Sequence, residues 1–268
     1  MTTTATTSAA PAVTTPLLSV SELGLHFGGV AALDGVSFDV AEGDLYAVIG
    51  PNGAGKTCIF NCLNGVYVPQ SGHAAFDGHE LVGARPSRIA RWGVGRTFQN
   101  LGLFTNLDLV DNLMLGRHIQ MRTGYLAGAV WFGRARREEI VHRRRCEEVV
   151  EFLELGEYRR QPVGMLPYGI QKRIELGRAL AMEPRLLLLD EPVAGMNLEE
   201  IEDMARYILE IKAELGITMI LVEHDMRMVM DIADRVLALD FGQVIAAGTP
   251  TEIQHDRRVI EAYLGQPS

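Results

Sequence analysis

The 268-residue chain is 47% hydrophobic, enough for one or two domains with a substantial core, and has a net charge of −9 and a sequence pI near 5.3. That balance argues against a nucleic-acid binder that works through overall charge, since neutralising phosphates needs clustered Lys and Arg. There is no run of about 18 apolar residues to span a membrane; Cys58, Cys62 and Cys146 give neither a closed disulfide set nor a metal-ligand spacing, which fits a reducing cytoplasm.

Residues 1–16, MTTTATTSAAPAVTTP, carry no charge and no apolar segment, so they are expected to form a disordered tail and not a signal peptide. Leu23, Leu25 and Phe27 alternate, as do Val36, Phe38 and Val40, which predicts two half-exposed strands. LYAVIG, from Leu45, is continuously apolar, the pattern of a strand covered on both faces. It runs into a Gly-rich loop and a helix starting near Lys56. From about Thr105 to Gly164 no strong strand is visible, and a mostly helical subdomain inserted between two halves of the core is expected. Within it, Gly124 to Arg145 joins an apolar patch to a basic run. That segment is either a surface facing the membrane and its proteins or a small hydrophobic anchor followed by a solvated helix.

Met165 to Leu180, MLPYGIQKRIELGRAL, predicts a loop entering a helix whose first N–H groups face an anion. Arg185 to Asp190 and Ile217 to Asp225 read as further buried strands. Between them Ile201, Met204, Ala205, Ile208 and Ile211 make one helical stripe, closed by Gly216. VLALDFGQVIAAG predicts a hairpin turning at Phe241–Gly242. Strands alternating with helices imply an α/β core with parallel strands.

Gly50, Pro51, Asn52, Gly53, Ala54, Gly55, Lys56 and Thr57 spell G-x-x-x-x-G-K-T after a predicted strand and before a predicted helix. Glycines allow close backbone approach, so successive N–H groups can ring a phosphate, and the helix adds its positive end. Lys56 would reach the β/γ-phosphates and Thr57 would ligate Mg²⁺. The alternative, a turn that merely joins strand to helix, has less to recommend it with both flanks correct. Four leucines ending in Asp190 and Glu191 suggest a metal-holding carboxylate followed by a group that orients or deprotonates water. Taken alone, the pair reads equally well as a turn or helix cap. His224, at another strand end, is either a satisfied polar residue or a donor to the γ-phosphate. Gln99 in GRTFQN is likewise ambiguous alone.

GPNGAGKT, RTFQN, LPYGIQKR with LLLLDEP, and LVEHD fall in an order that resembles the nucleotide-binding subunit of ATP-binding-cassette (ABC) transporters across about residues 17–265. The resemblance implies a P-loop α/β domain with an antiparallel β subdomain and a helical subdomain at about 105–175. It implies ATP and Mg²⁺ as ligands and assigns Gln99 to a metal-touching loop beside Thr57 and Asp190. Glu191 becomes the catalytic carboxylate and His224 the switch histidine. It also places Phe27 against adenine, while Cys58 stands where a second Ser or Thr is usual, keeping the backbone N–H and losing a hydroxyl. Leu166, Pro167, Tyr168, Gly169, Ile170 and Gln171 occupy the signature that binds ATP held by the opposite subunit. Asn197 stands in the D-loop where many members have aspartate.

FGGVAALDGVSF, RTFQNLGLFTNLDLVDNL, DEPVAGMN and GTPTEIQHDRRVIEAYLG look like the larger ATPase subunit of branched-chain amino acid transporters, some of which carry L-[SA]-Y-G in the signature. Pro167 and Ile170 depart from that pattern. Proline has neither hydroxyl nor N–H, although its φ suits the start of a helix, and Gly169, Ile170 and Gln171 are expected to offer backbone N–H groups to the phosphate. The resemblance further implies a head-to-tail dimer with a paralogous or identical cassette, two transmembrane permease subunits, an indirectly coupled solute-binding protein, and a place on the cytoplasmic face of the membrane. Urea or amide import, and a non-transport ABC ATPase, are the alternatives.

Overall fold

The computed structural model describes residues 15–97, 102–120 and 134–264; Gln99, most of the N-terminal tail and residues 121–133 of the insertion lie outside the described residues. In chain order the elements are β1 (Leu18–Phe27), β2 (Val30–Val40), β3 (Leu45–Ile49), α1 (Lys56–Leu63), β4 (Ser71–Phe76), β5 (His79–Glu80), α2 (Pro86–Trp92) and β6 (Val94–Arg96). They continue with α3 (Leu109–Arg117), α4 (Arg134–Phe152), α5 (Tyr168–Leu180), β7 (Leu186–Asp190), α6 (Leu198–Leu215) and β8 (Thr218–Val222). The last are α7 (Met226–Ile232), β9 (Arg235–Asp240), β10 (Gln243–Gly248), α8 (Pro250–His255) and α9 (Arg257–Leu264).

One sheet has the order β10-β9-β3-β8-β7-β6, parallel except for the β9–β10 hairpin. The other is antiparallel, β2-β1-β4-β5. Every residue of β3, β7 and β8 is buried, and the alternation of their side chains sorts them into two cores. Leu45, Ala47, Ile49, Leu187, Leu189, Met219 and Leu221 pack with the helices from α3 to α7. Tyr46, Val48, Leu186, Leu188, Ile220 and Val222 pack with α1 and the antiparallel sheet. Covering on both faces is why these strands read as unbroken apolar runs.

The stripe expected between Ile201 and Ile211 lies on α6, with Met204, Ile208 and Ile211 buried, and Gly216 closes that helix at φ 63°. Phe241 and Gly242 turn the hairpin at φ 44° and 78°, both left-handed as a two-residue hairpin turn requires. β6 is an element the sequence pattern does not announce; it extends the sheet by pairing Val94 with Leu186 and Arg96 with Leu188.

The helical segment is tied to the core at Arg117. Its Nε donates to His142 Nδ1 at 2.8 Å, Nη1 to the Ala181 carbonyl at 2.7 Å, and Nη2 to Gln120 Oε1 at 2.8 Å. Glu183 adds an ion pair at 3.2 Å. One buried guanidinium thus joins α3, α4 and the end of α5. Accepting from Arg117 requires His142 to be neutral at Nδ1.

Candidate functional site

β3, β7 and β8 are parallel neighbours, so their C-terminal ends open on the same edge of the sheet, where ligands of such sheets collect. The loop Gly50–Gly55 leaves β3 there and α1 follows. Gly55 sits at φ 103°, and a Cβ on it would lie 2.5 Å from the Ala32 carbonyl, so only glycine fits between the loop and β2. The hairpin closes the other side: Gly242 N–H bonds the Ala54 carbonyl at 3.0 Å, and Asp34 N–H bonds the Gly242 carbonyl at 2.8 Å.

Lys56 is buried at the start of α1, and its ammonium donates to the carbonyls of Gly50 at 2.6 Å and Pro51 at 3.0 Å. Burial pulls its pKa below the ordinary lysine value, and the charges of Glu191 and Asp190 oppose that shift. The loop therefore curls around a desolvated cation at a helix N-terminus, a cradle for a multiply charged phosphate. Cys58 takes the third helical position; burial pushes its thiol up, which keeps it a neutral group beside the loop. Gly50, whose neighbour is Pro51, also bonds through its N–H to the Tyr263 hydroxyl, which opposes the rise that burial causes in that phenol. Asn52 and Gly53 form the outer turn of the loop, exposed to solvent.

Asp190 ends β7 almost wholly buried. Its Oδ2 pairs with Arg96 Nη2 at 2.7 Å, while Oδ1 is buried without a hydrogen-bond partner. Thr57 and Asp190 line one cavity of about 770 Å³. A buried carboxylate oxygen without a hydrogen-bond partner, on a residue that lines a cavity together with Thr57, fits Mg²⁺, which takes one or two protein oxygens and fills its octahedron with water and phosphate. A cluster of three or more His, Cys, Asp or Glu side chains is absent among the described residues, and Mg²⁺ in such sites does not use one.

Glu191 follows at φ 49°, a left-handed backbone for a non-glycine residue. Its Oε1 lies 2.8 Å from His224 Nε2, the residue that closes the adjacent strand. Acid and imidazole thus meet beside the lysine cradle. Phe27, at the end of β1, is half exposed and meets Tyr67 edge to face at 5.2 Å, which leaves a ring face toward solvent.

Pro167 is the N-cap of α5 and offers no side-chain cap. Leu166 is buried, its carbonyl accepting from the Gln171 side chain at 2.8 Å. The Gln171 N–H is taken by the Pro167 carbonyl at 3.0 Å. The expectation that Gly169, Ile170 and Gln171 supply the anion-facing N–H groups is corrected by one position: the first-turn donors without an intrahelical acceptor are Tyr168, Gly169 and Ile170. The Tyr168 hydroxyl bonds the Ala194 carbonyl at 3.2 Å, and Lys172 reaches the Glu191 carbonyl at 3.4 Å, so the signature helix leans on the loop that follows Glu191. Asn197 caps α6 in a reciprocal pair with Glu200, at 3.0 and 2.9 Å; locally it does what aspartate does.

Three contributors escape sequence reading. Arg96 holds Asp190 and Asn61, Lys172 reaches the Glu191 carbonyl, and Glu223 accepts N–H groups from two loops. Only Glu223 leaves a trace in the sequence, an acid at the end of an otherwise apolar run.

Comparison with known proteins follows the same lines. A family profile described as ABC transporter matches residues 33–194, and one described as branched-chain amino acid ATP-binding cassette transporter matches residues 243–267. The chain is 41% identical over 251 residues to the high-affinity branched-chain amino acid transport ATP-binding protein BraF of Pseudomonas aeruginosa, covering 94% of this chain and 98% of that protein. It is 38% identical to the LivG protein of the same description from Escherichia coli, with the same coverage. Among solved structures, the ADP conformation of an ATP-binding cassette of an ABC transporter superposes with a TM-score of 0.82 at 30% identity, over 94% of this chain and all of that one.

Proposed function

The chain belongs to the ABC transporter family, and from that premise we propose that it is the ATP-hydrolysing subunit of an importer for branched-chain amino acids, held at the cytoplasmic face of the membrane by its partners. The relatives that carry this reading are ATP-binding proteins of high-affinity branched-chain amino acid transport, and the match of the C-terminal segment 243–267 to the branched-chain profile favours that solute class over urea or amides.

Residue roles follow from the chemistry of the edge. Lys56 and the N–H groups of residues 53–58 hold the β- and γ-phosphates. Phe27 stacks on the base. Thr57 and Asp190 hold Mg²⁺, with Gln99 a third contributor from outside the described residues. When bound, the metal supplies positive charge to the phosphate oxygens as the bond to the leaving group breaks. Glu191 accepts the proton of the attacking water, and His224 fixes the Glu191 carboxylate and donates toward the γ-phosphate. The observation that carries this assignment is the 2.8 Å contact between Glu191 and His224 at neighbouring strand ends, beside Lys56, whose charge Glu191 and Asp190 support.

The residues Leu166 to Gln171 serve ATP bound to a second cassette, a paralogue or a second copy, and the pair drives two transmembrane permease subunits loaded by a solute-binding protein. Closure stores binding energy that exists only when both halves meet. Purification with the membrane partners, followed by ATPase assays with leucine, isoleucine, valine, urea and short amides presented by the binding protein, tests the whole reading. Stimulation by branched-chain amino acids alone is the expected result.

A further inference from the structure

Glu223 lies immediately before His224 and has no part in the steps above. Its carboxylate is 2% exposed. Oε1 accepts the Val193 N–H at 2.9 Å, and Oε2 accepts the His224 N–H at 2.8 Å and the Asp225 N–H at 3.5 Å. One side chain therefore spans two loops, the one that leaves β7 after Glu191 and the one that leaves β8 through His224.

The first of those loops is strained. Glu191 is left-handed at φ 49° and precedes Pro192, a combination that disfavours helical backbone before the ring. Such a conformation persists only where its surroundings over-determine it. Glu191 N–H is fixed to the Val222 carbonyl at 2.9 Å on one side of the strained residue. On the other side, past the proline, the fixing bond is Val193 N–H to Glu223. Burying a carboxylate costs free energy unless donors surround it; here backbone N–H groups of both loops do so. Glutamine has one acceptor oxygen where glutamate has two, and its NH₂ would face a donor. It can hold one loop or the other.

From this geometry we infer that Glu223 is a positioning residue for hydrolysis, a clip that sets the Glu191 carboxylate and the His224 imidazole at bonding distance. The inference rests on the roles given to Glu191 and His224 under the proposed function. Glu223 acts through them and touches no phosphate.

The test uses the full chain, purified, with steady-state ATPase rates and the stoichiometry of bound nucleotide measured on wild type, Glu191→Gln, Glu223→Gln, His224→Ala and the Glu223→Gln/His224→Ala double variant. Misplacing a reacting group by about 1 Å costs on the order of a hundredfold. Glu223→Gln is thus expected to lower kcat by about ten- to a hundredfold, with KM for ATP and binding stoichiometry within twofold of wild type. The double variant should be no slower than the slower single, since both act on one unit. A kcat within twofold of wild type overturns the inference, as does a loss that merely tracks the fraction of chain unable to bind nucleotide, or multiplicative effects in the double variant. If Glu223→Gln does not fold, Glu223→Asp takes its place: it keeps the charge but is one methylene too short to reach both loops. Failure of both to fold assigns Glu223 to the fold and overturns positioning. If Glu191→Gln hydrolyses ATP like wild type, the assignment of Glu191 is wrong, and the role of Glu223 falls with it.

Discussion

Arg96 Nη2 lies 2.7 Å from Asp190 Oδ2, with both side chains nearly closed to solvent, and the other arm of the guanidinium reaches Asn61 Oδ1 at 2.7 Å. The pair connects β6 at the sheet edge with the acid of β7 and with α1. Removing one partner of such a pair leaves the other charge buried. Arg96→Ala is expected to lower stability by about 3–5 kcal/mol, and Asn61→Ala by about 0.5–1.5 kcal/mol. Urea unfolding of the three chains checks the order; equal losses would mean that the ion pair is not what costs.

Glu191→Gln keeps the shape and loses the base. ATP binding should persist while hydrolysis slows by about 10²–10⁴-fold, and the closed dimer should accumulate, visible by size exclusion with ATP and Mg²⁺. Near-normal turnover would remove Glu191 from the role.

Phe27 presents an exposed ring face braced from the side by Tyr67. Every base has a π-face, so Phe27→Ala should weaken ATP and GTP alike by about 1–3 kcal/mol, with Phe27→Tyr close to wild type. Titration with fluorescent analogues of both nucleotides reads this directly. An unchanged affinity would mean that the ring has no base to stack on.

His142 gives the fold a pH dependence. Burial holds its pKa below the ordinary histidine value and Arg117 adds to that, while Glu138 and Glu183 pull the other way. The unfolded chain therefore takes up the proton first. The stability that neutral His142 contributes is fully present above about pH 6.5 and is lost as pH falls below it toward the lower folded value. Thermal midpoints measured between pH 7.5 and 5.5 should fall toward acid, by about 2–4 °C for each kcal/mol lost. His142→Asn, whose amide oxygen can still accept from Arg117, should flatten the slope over that interval.

Pro167 predicts unequal ATP sites. A signature serine would add a charge-assisted hydrogen bond worth about 1.5–3 kcal/mol, and under the proposed function the N–H groups of Tyr168, Gly169 and Ile170 would act without it. Pro167→Ser in the assembled transporter should tighten or speed the site that borrows this signature. If ATP is bound no tighter and hydrolysed no faster, the loop does not depend on that hydroxyl.

The central strands were legible because double burial leaves an unmistakable apolar run, Lys56 because it stands in G-x-x-x-x-G-K-T, and Asp190, Glu191 and His224 because each sits where such a run breaks into polar residues. β6 was not, because Val94–Arg96 is too short for any periodicity and becomes a strand only beside Leu186–Leu188. Arg96 and Glu223 were not, because their work lies in partners distant along the chain. Asn197 was visible as a departure, yet only the capping pair with Glu200 tells what an asparagine can do there. The donors of the signature were off by one residue because a carbonyl of the cap itself, that of Pro167, captures the Gln171 N–H.

The strand order has a consequence for the birth of the protein. β3, which carries the phosphate loop, emerges from the ribosome early, but its neighbours are β8 and β9: Leu45 pairs with Met219, and Tyr46 with Arg235. The Gly242 contacts that wall the loop come later still. Until most of the chain has been synthesised, a continuous apolar segment stands without hydrogen-bonded neighbours, the sort of exposure that slows folding and invites aggregation. Until β8, β9 and the hairpin at Gly242 have been made, the loop after β3 lacks the neighbours that hold it in shape for a nucleotide.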